Sequence, residues 1–532
     1  MPTGRSGSPL VSEVVVQALE RLGAKVAFGI PGMWALPIYD ALCDSRIRHI
    51  LVRHEQNAVY AADGYARAGA GMGLCLGTAG PGAVNIAAGI ATPYRDHSPV
   101  MAVTGQVPTN EIGRGWNEDL DLQAMFAPVT KSTAQITDPN GAYDVIASAY
   151  RSSLEGCPGP SHVSIPGNVQ RMPSRDKGYI PGHARVEPDP ASTELAIEAI
   201  STSRAPLLLA GWGAVLSESS RNIVALAELL PAHVATSYMG RGIIPDDHPL
   251  ALGAAGRRGS DAANLALSSC DLLISLGCRL TNMTVPAPLH CRILQVDVDE
   301  ANFSQMADIK LKGDVSLFIE AILPRVRSME RKTASPFPSP SPSEGRGRSG
   351  RAYEFARAIS SSPSGTIYTL DIGQHTIWMM QTIKAARPRR MIFSGNLSSM
   401  GFSLPAAIGA KVAVPEAKVV AVMGDGGFQM SSPELSTLKE NGMNIAVCVF
   451  NNRGLGLIRQ MQGVVYGRTH CVDYSEPPDY VRLAEAHGIR GVLATSPADA
   501  AEAIRSNDEP LVVEIPIPLE EGVEMSRPRA TE

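Results

Sequence analysis

The stretch MGDGGFQMSSPELSTLKENGMNIAVCVFNN, residues 423–452, has an apolar, β-rich run on either side of a helical pattern. The first run ends in Gly424-Asp425-Gly426, and the second ends in Asn451-Asn452, 27 residues after Asp425. Because the carboxyl ends of parallel strands meet at one edge of an open α/β sheet, both ends of this unit are expected there. The pattern predicts a strand–helix–strand unit with polar groups gathered at that edge.

These polar groups suit a divalent cation and a phosphate. The Asp425 carboxylate, the Asn452 carbonyl and a turn carbonyl are hard oxygen donors of the kind Mg²⁺ prefers, with phosphate oxygens and water completing its octahedron. Gly424, Gly426 and Gly427 let the backbone approach phosphates, whose charge also suits the N-terminus of the following helix. Taken singly, each motif is better explained as an ordinary turn or cap. Their joint spacing favours the phosphate–magnesium interpretation.

The whole chain follows the same strand–helix rhythm. Its 532 residues are enough for about three domains, and apolar strand-like runs alternate with helical patterns in three blocks. This predicts an α/β protein with three doubly wound parallel-sheet domains at 8–170, 190–325 and 352–520. Residues 331–351, rich in Pro, Ser, Gly and Arg, are expected to form a flexible linker. The first and third blocks look like one kind of domain used twice.

Composition excludes several function classes. Lys and Arg number 47 against 52 Asp and Glu, so no bulk cationic field attracts nucleic acid or anionic lipid. No apolar run approaches the ~18–20 residues of a membrane span, and the start of the chain lacks the apolar region of a signal peptide, so a cytoplasmic location is expected. Eight cysteines without CxxC spacing predict reduced, mostly buried thiols.

The first block contains an acid at a predicted strand–helix junction. Glu55 lies in RHEQNAVYAADGYAR, where the alternative interpretation is a helix-capping acid. The segments FGIPGMWALPIYDAL, GTAGPGAVN and VTGQVP surround it in order. Together with GDG…NN, these segments resemble the thiamine-diphosphate enzymes. The resemblance implies that Glu55 hydrogen-bonds the cofactor's aminopyrimidine, and that Pro31, Gly32, Pro81 and Asn85 belong to the same cofactor site.

Within that family the chain is most similar to acetolactate synthase catalytic subunits, nearly end to end, through GQHTIWMMQ and SGNLSSMGFSLPAAIGA. The likeness implies Asp425, Asn452 and the Gly454 carbonyl as metal ligands. It also implies Met400 as an apolar prop under the cofactor, although a plain core methionine is an equal alternative. The remaining residues implied for the diphosphate side are Gly373, Gln374, His375, Ser398, Gly424, Gly426, Gly427, Leu455, Gly456 and Leu457. For His375 the alternative is a loop histidine whose hydrogen bonds are satisfied.

The middle block contains GRRGSDAANLALSSCDLLISLGCRLTN, which is similar to the segment that lines a non-redox FAD in acetolactate synthases. The resemblance allows a bound FAD, or another nucleotide in its place. The matching positions are Gly256, Gly259, Asn264, Gly277, Arg279 and Asp297. The family's acidic residues after the arginine are replaced here by Thr281 and Asn282.

Departures from the family pattern fall on the substrate side. A glycine is replaced by Met33, a Phe-Gln pair by Asn117 and Glu118, and a tryptophan by Met461. The candidate substrate-pocket residues are Met33, Asn117, Gln123, Ile458 and Met461. Glu118 is a candidate acid/base or a group that repels a carboxylated acceptor; a solvated surface carboxylate is the alternative.

The resemblance implies decarboxylation of a 2-oxo acid, pyruvate by analogy, with carboligation to a second carbonyl, dependent on thiamine diphosphate and Mg²⁺. The main alternative is another thiamine-dependent 2-oxo acid decarboxylase or C–C lyase, acting on an oxalyl-CoA-like, sulfonated or diketone substrate. A non-catalytic binder and a flavin redox protein are weaker alternatives. A homodimer or homotetramer with sites between chains is expected, and the likeness also allows a small regulatory subunit. Neither nucleic acid nor membrane is an expected partner.

Overall fold

The computed structural model describes residues 8–175, 178, 185–286, 288–329 and 350–524. Within them the chain forms three parallel sheets of six strands each. The strands of the first sheet are β1 Val26–Gly29, β2 Arg48–Leu51, β3 Gly73–Gly77, β4 Val100–Gln106, β5 Ser132–Gln135 and β6 Ser161–Pro166. Those of the second are β7 Pro206–Ala210, β8 His233–Thr236, β9 Ala251–Ala254, β10 Leu272–Leu276, β11 Arg292–Asp297 and β12 Ile309–Lys312. Those of the third are β13 Ile367–Leu370, β14 Met391–Phe393, β15 Val419–Gly424, β16 Ile445–Asn451, β17 Arg490–Leu493 and β18 Leu511–Pro516.

Helices connect the strands and cover the sheets. The N-terminal domain has α1 Val11–Arg21, α2 Leu36–Leu42, α3 Glu55–Tyr65, α4 Pro81–Asp96, α5 Leu122–Phe126 and α6 Ala142–Leu154. The central domain has α7 Pro190–Thr202, α8 Trp212–Leu216, α9 Ser220–Leu229, α10 Asp261–Ser269 and α11 Val315–Arg327. The C-terminal domain has α12 Arg351–Ser360, α13 Gln374–Thr382, α14 Ser403–Ala413, α15 Asp425–Ser431, α16 Glu434–Glu440, α17 Gly456–Tyr466, α18 Tyr480–Ala486 and α19 Pro497–Arg505. Across the described ranges, no helix is both long and apolar enough to cross a bilayer.

Strand order confirms the predicted fold class of three doubly wound domains. The first sheet runs β2-β1-β3-β4-β6-β5 and the third runs β14-β13-β15-β16-β18-β17, which is the same order shifted along the chain. The first and third blocks are therefore one topology used twice, as the sequence predicts. The second sheet runs β12-β11-β10-β7-β8-β9. Connections diverge between β1 and β3, between β7 and β10, and between β13 and β15, and such switch points leave a crevice at the strand ends.

Four strands are not predicted from the sequence: β5, β9, β12 and β17. All four lie at sheet edges. Each has only four residues, and β5 and β17 contain no buried residue. Edge strands are covered on fewer sides, so they need no continuous apolar run, and that run is the signal from which the buried strands are predicted. Most of the predicted linker, up to residue 349, lies outside the described residues, and Arg351 is already the first residue of α12.

The N- and C-terminal domains share one hydrophobic core through the contact of α3 with α14. Small residues bring the two backbones together. A Cβ added at Gly64 would lie 2.1 Å from the Ala406 carbonyl oxygen, and one added at Gly409 would lie 1.8 Å from the Ala61 carbonyl oxygen. No side chain other than hydrogen fits at either position without moving a backbone.

A buried ion pair joins all three domains. The Arg67 Nη1 lies 3.3 Å from Oδ2 of Asp96, whose carboxylate also accepts the backbone N–H groups of Gly395 and Asn396 at 3.0 and 2.8 Å. The same guanidinium carbon lies 5.6 Å from the ring centre of Trp212 in the central domain. A buried charge of this kind is stable only while every partner is present, so the contact favours one relative arrangement of the domains.

The α3–α14 contact predicts a large effect from a single methyl group. We expect Gly64→Ala to lower the free energy of unfolding by about 1–3 kcal/mol, because the new Cβ overlaps a backbone carbonyl. Gly463→Ala is the matched control, since this helical glycine has no heavy atom within 4 Å of the added Cβ. Chemical denaturation followed by circular dichroism measures both. Equal stability of the two variants would contradict the tight packing of α3 on α14.

Candidate active site

Two loops converge at the switch point of the third sheet. β13 and β15 are hydrogen-bonded neighbours; a short loop joins β13 to α13, and α15 follows β15 directly. Gly373 caps α13 with a φ of 152°, a conformation that favours glycine. The structure thus brings the predicted Gly373–His375 and Gly424–Gly427 segments to one crevice. Backbone N–H groups at the start of α13 make this crevice suitable for an anion.

Asp425 is held by backbone donors on two loops. Its Oδ1 accepts the Gly426 N–H at 2.9 Å and its Oδ2 accepts the Gly454 N–H at 3.0 Å. Burial raises the pKa of this carboxyl to about 6, since desolvation disfavours the charged form. The loop after β15 is thereby tied to the loop after β16, as the predicted convergence requires.

A chain of amides orients Asn452. Its Nδ2 donates to Oε1 of Gln374 at 3.2 Å, and the Gln374 Nε2 donates to Oε1 of Gln460 at 2.9 Å. Because its amide nitrogen is engaged, Asn452 keeps its carbonyl oxygen as a ligand-type donor. Residue 456 beside these amide side chains must be glycine, since a Cβ at Gly456 would lie 2.1 Å from the Asn452 Nδ2. Gln460 was not predicted from sequence, because its part depends on a contact between side chains 86 positions apart.

His375 lies buried against the same turn. A Cβ added at Gly424 would lie 3.3 Å from its ring, so that glycine leaves room for the imidazole. Burial lowers the pKa of His375 to about 3, which keeps the ring neutral. Its Nε2 is buried with no hydrogen-bond partner among the described residues. A buried polar atom without a partner is costly, and a bound ligand would satisfy it.

Asp371 is a site residue that the sequence analysis missed. It directly follows β13 and accepts the N–H groups of Ile372 at 2.8 Å and Gly401 at 2.9 Å. Burial raises its pKa to about 7. A Cβ at Gly427 would lie 2.5 Å from its Oδ2, so Asp371 packs beside the Asp425 turn and anchors the loop that carries Met400. The sequence signal for Asp371 is an acidic residue directly after the apolar run TIYTL.

Met400 lies over the Asp425–Gly426 turn. Its side chain is half-buried, and a Cβ added at Gly426 would lie 3.3 Å from its Cε and 2.9 Å from Leu455 Cδ2. Met400 and Leu455 therefore form an apolar surface above the turn. The predicted role of Met400 as a prop stays a prediction.

A second group of predicted residues meets at the switch point of the first sheet. Glu55 is the first residue of α3, and its Oε2 accepts the Asn85 Nδ2 of α4 at 2.8 Å. A Cβ added at Gly82 would lie 3.4 Å from Glu55 Oε1, and one added at Gly32 would lie 2.5 Å from Thr78 Cβ. The loop that contains the exposed Pro31 and the start of α4 at the exposed Pro81 therefore border the Glu55 carboxylate.

The Glu55 group and the Asp425 group are not bonded to each other within one chain. Across the part of the chain that the structure describes, no hydrogen bond or ion pair joins the Glu55 group to the Asp425 group. The start of α3 instead meets the C-terminal domain through Glu434, which accepts the Arg53 N–H at 2.8 Å and the Asn57 Nδ2 at 2.9 Å. This buried glutamate was also missed, because nothing in its local sequence points to α3.

The predicted substrate-side residues are dispersed. Glu118, at a φ of 65°, packs on the turn before α4, where a Cβ at Gly80 would lie 2.8 Å from its own Cβ. Its Oε2 is buried without a hydrogen-bond partner among the described residues. Met33 is 64% exposed, and α17, which includes Ile458 and Met461, has no buried residue. Asn117 is exposed and Gln123 is half-buried. One chain does not assemble these residues into a closed pocket.

A cavity of about 860 Å³ lies at the switch point of the central sheet, between the three domains. Of the residues predicted for a nucleotide, Gly277, Arg279 and Asp297 line it. Ser398 and Leu457, which were predicted for the diphosphate side, also line this cavity. Burial raises the pKa of Asp297, whose Oδ1 accepts the Asn302 Nδ2 at 2.9 Å.

Three residues of the predicted nucleotide set are absent from the described lining of this cavity. Asn264 is engaged by its own loop, where its Oδ1 accepts the Gly256 N–H and its Nδ2 donates to the Gly256 carbonyl, both at 2.9 Å. Gly256 and Gly259 lie close to neighbouring backbone. A Cβ added at Gly256 would lie 2.0 Å from the Met283 carbonyl oxygen, and one added at Gly259 would lie 2.3 Å from the Ala254 carbonyl oxygen. These residues shape the loop, and it is Arg258 between them that reaches the cavity.

In the described ranges no cluster of three or more His, Cys, Asp or Glu residues could hold a metal ion on its own. A cation at the Asp425 turn would thus depend on one carboxylate, amide and backbone oxygens, and the oxygens of a bound phosphate. This is the mixed donor set that Mg²⁺ commonly takes beside phosphates.

Comparison with known proteins agrees with this arrangement. The N-terminal TPP binding domain, the central domain and the C-terminal TPP binding domain of thiamine pyrophosphate enzymes match residues 10–125, 193–322 and 371–515. The chain is 38% identical to a probable acetolactate synthase large subunit of Methanocaldococcus jannaschii, over 97% of this chain and 93% of that protein. It is 34% identical to an acetolactate synthase large subunit of Lactococcus lactis, over 96% of this chain and 93% of the relative. A Mycobacterium tuberculosis acetolactate synthase large subunit is also 34% identical, over 94% of this chain and 87% of its own length. The chain therefore belongs to the family of thiamine pyrophosphate enzymes that includes the acetolactate synthase large subunits.

Proposed function

We propose that the protein condenses two pyruvate molecules to acetolactate with loss of CO₂, as a step of branched-chain amino acid biosynthesis, using thiamine diphosphate and Mg²⁺. The observation that carries this proposal is the Asp425 turn, where two loops and an amide chain orient oxygen donors beside a glycine-lined crevice. The full-length likeness to acetolactate synthase large subunits supports the reaction type.

The residues of the crevice fit the diphosphate. The unpartnered His375 Nε2 suits a polar ligand, and the N-terminus of α13 at Gln374 suits its negative charge. Asp425, Asn452 and the Gly454 carbonyl would hold the Mg²⁺ that offsets that charge. In the N-terminal domain, Glu55 and its partner Asn85 would face the aminopyrimidine.

Bound thiamine diphosphate supplies a carbon nucleophile and an electron sink for the release of CO₂. Glu55 holds or moves a proton at the pyrimidine, and the Asn85 amide fixes the direction of its carboxylate. The neutral His375 donates or accepts one hydrogen bond without adding charge to the anion site. Met400 and Leu455 exclude water from the space above the Asp425 turn.

The absence of a bond between the Glu55 and Asp425 groups within one chain supports a homodimer in which each site uses both copies. The uncovered face of α17 supports the same arrangement, since its exposed apolar residues suit burial against a second copy; among them Ile458 is 46% exposed, Met461 43% and Val465 49%. Relatives named as large subunits support a small regulatory partner as well.

The central cavity supports a bound FAD. Its volume of about 860 Å³ lies in the range of pockets for organic ligands, about 300–1,000 Å³. Arg279 offers a cation for a pyrophosphate, and Asp297 is the last residue of β11, where an acid can meet a ribose hydroxyl.

A second candidate is another thiamine-dependent 2-oxo acid decarboxylase or lyase. Glu118 favours it, because a carboxylate with a buried, unpartnered oxygen at the Gly80 turn would repel a carboxylated acceptor. The exposed thioethers of Met33 and Met461 would leave the pocket wide for such a substrate.

The proposed roles of Glu55 and Asp425 predict two different defects. Glu55→Gln should lower acetolactate formation from pyruvate by about 10²–10⁴-fold, with Mg²⁺-dependent binding of thiamine diphosphate retained in calorimetry. Asp425→Asn should lose that binding, whereas the exposed Asp508→Asn should match the wild type. Release of CO₂ without acetolactate would favour the second candidate. No binding of thiamine diphosphate by the wild type would contradict both.

Mixing inactive chains tests the shared site. We expect subunit exchange between Glu55→Gln and Asp425→Asn chains to restore activity to about a quarter of wild type. About half of the dimers would then hold one chain of each kind, with one intact site of two. If each active site were built from a single chain, mixing would restore no activity, because every site would contain one of the two substitutions.

FAD should raise the midpoint of thermal unfolding of the flavin-free protein, since a ligand that binds only the folded state stabilises it. The Arg279→Gln variant should show a smaller shift, and the exposed Arg292→Gln the wild-type shift. FMN, which lacks the adenosine half, is the matched ligand control. An FAD shift unchanged by Arg279→Gln would contradict the assigned position.

A further inference from the structure

Two thiols of the central domain lie side by side at the edge of the sheet opposite its cavity. The Sγ atoms of Cys270 and Cys291 are 3.5 Å apart. Cys270 follows α10 and Cys291 precedes β11, so both lie at the amino ends of neighbouring strands. Backbone pairing holds them there, because Arg292 N–H donates to the Asp271 carbonyl at 3.1 Å and β10 pairs with β11 in register.

The two thiols have different chemical environments. The Cys270 S–H has two acceptors, the Cys291 sulfur at 3.5 Å and the Leu267 carbonyl at 3.6 Å, and the Leu273 N–H donates a hydrogen bond to the Cys291 sulfur. These donors lower the pKa of Cys291, because they stabilise its thiolate. Cys291 is half-buried and reachable from solvent, whereas Cys270 is 7% exposed. Cys291 is thus suited to attack an external disulfide, and Cys270 is suited to attack second.

We propose that Cys270 and Cys291 are a thiol–disulfide exchange site that forms a reversible intramolecular disulfide with low-molecular-weight disulfides. The Cys291 thiolate attacks one sulfur of the small disulfide RSSR, which breaks the S–S bond and releases RS⁻. Cys270 loses its proton to RS⁻ and attacks the Cys291 sulfur, which forms the Cys270–Cys291 bond and releases a second RS⁻. That thiolate takes the proton originally lost by Cys291. Two protein thiols are oxidised, and one RSSR is reduced to two RSH.

The surroundings of the other cysteines explain why exchange should end in an internal disulfide at this pair. All eight cysteines are free thiols, and Cys43 and Cys471 are exposed single residues. An exposed single thiol can take up a mixed disulfide but has no neighbour to resolve it. The 270–291 pair is therefore the place where exchange should proceed to an internal bond.

The new bond would act on the cavity wall. It would close a loop that contains β10 and the residues after it, including Gly277 and Arg279 of the cavity lining. β10 has five residues at about 3.3 Å each, so the sulfur atoms lie a strand length from the cavity and would not block it. Restricting this loop in the unfolded chain should stabilise the central domain without occupying its binding space. The proposal does not depend on the activity proposed above.

Oxidised glutathione and the full-length protein provide the test. After incubation and alkylation of the remaining thiols, non-reducing peptide mapping should show a Cys270–Cys291 cross-link within one chain. The mass of the cross-linked peptides should be two hydrogen atoms lower than the summed mass of the two peptides with free thiols. The midpoint of thermal unfolding should shift upward by a few degrees and return after treatment with a thiol reductant.

Variants separate the two roles. In C270S, a glutathione adduct should persist on Cys291; in C291S, Cys270 should stay unmodified because it is buried. C43S is the matched control and should form the cross-link like the wild type. A wild-type protein that is fully modified at Cys43 and Cys471 but has no 270–291 cross-link would overturn the proposal. So would a cross-link that joins two chains.

Discussion

The carboxyl ends of neighbouring parallel strands set the positions of the crevices in which this protein can bind ligands. In each of the three sheets, two adjacent strands send their connections to opposite sides, which leaves a crevice that no crossover helix covers. The Glu55 group, the central cavity and the Asp425 turn occupy the three crevices in turn. One topological rule therefore positions groups of different chemistry, and the residues in the turns decide what each crevice does.

Buried carboxylates stabilise these turns through backbone donors. Asp425, Asp371 and Asp96 each accept main-chain N–H groups from a loop that is distant in sequence. Such bonds offset the desolvation of the acid and fix the loop at the same time. The raised pKa values of Asp371 and Asp425 indicate that burial outweighs these bonds in the protein without ligands. A cation beside Asp425 would reverse that balance for this one acid, because it favours the ionised form.

The sequence was sufficient wherever the signal is local. Buried strands are continuous apolar runs, and the GDG and NN motifs lie at the carboxyl ends of two of them, so their meeting at one edge follows from topology. The edge strands β5 and β17 lack that run. Glu434 and Gln460 depend on partners far along the chain, Asn57 and Gln374, which no local pattern specifies. For Gly256, the glycine pattern predicts a ligand contact, which stays a prediction, and the structure shows in addition that the residue allows a close approach between loops.

The glycine contact between α3 and α14 has an evolutionary consequence. With backbone against backbone at Gly64 and Gly409, a larger residue at either position requires the two helices to move apart. The spacing between the first and last thirds of the chain is therefore set at this contact, and a homologue without either glycine would need a wider spacing of the two helices. The central domain has clusters of its own buried residues, so a substitution inside those clusters does not change this helix spacing.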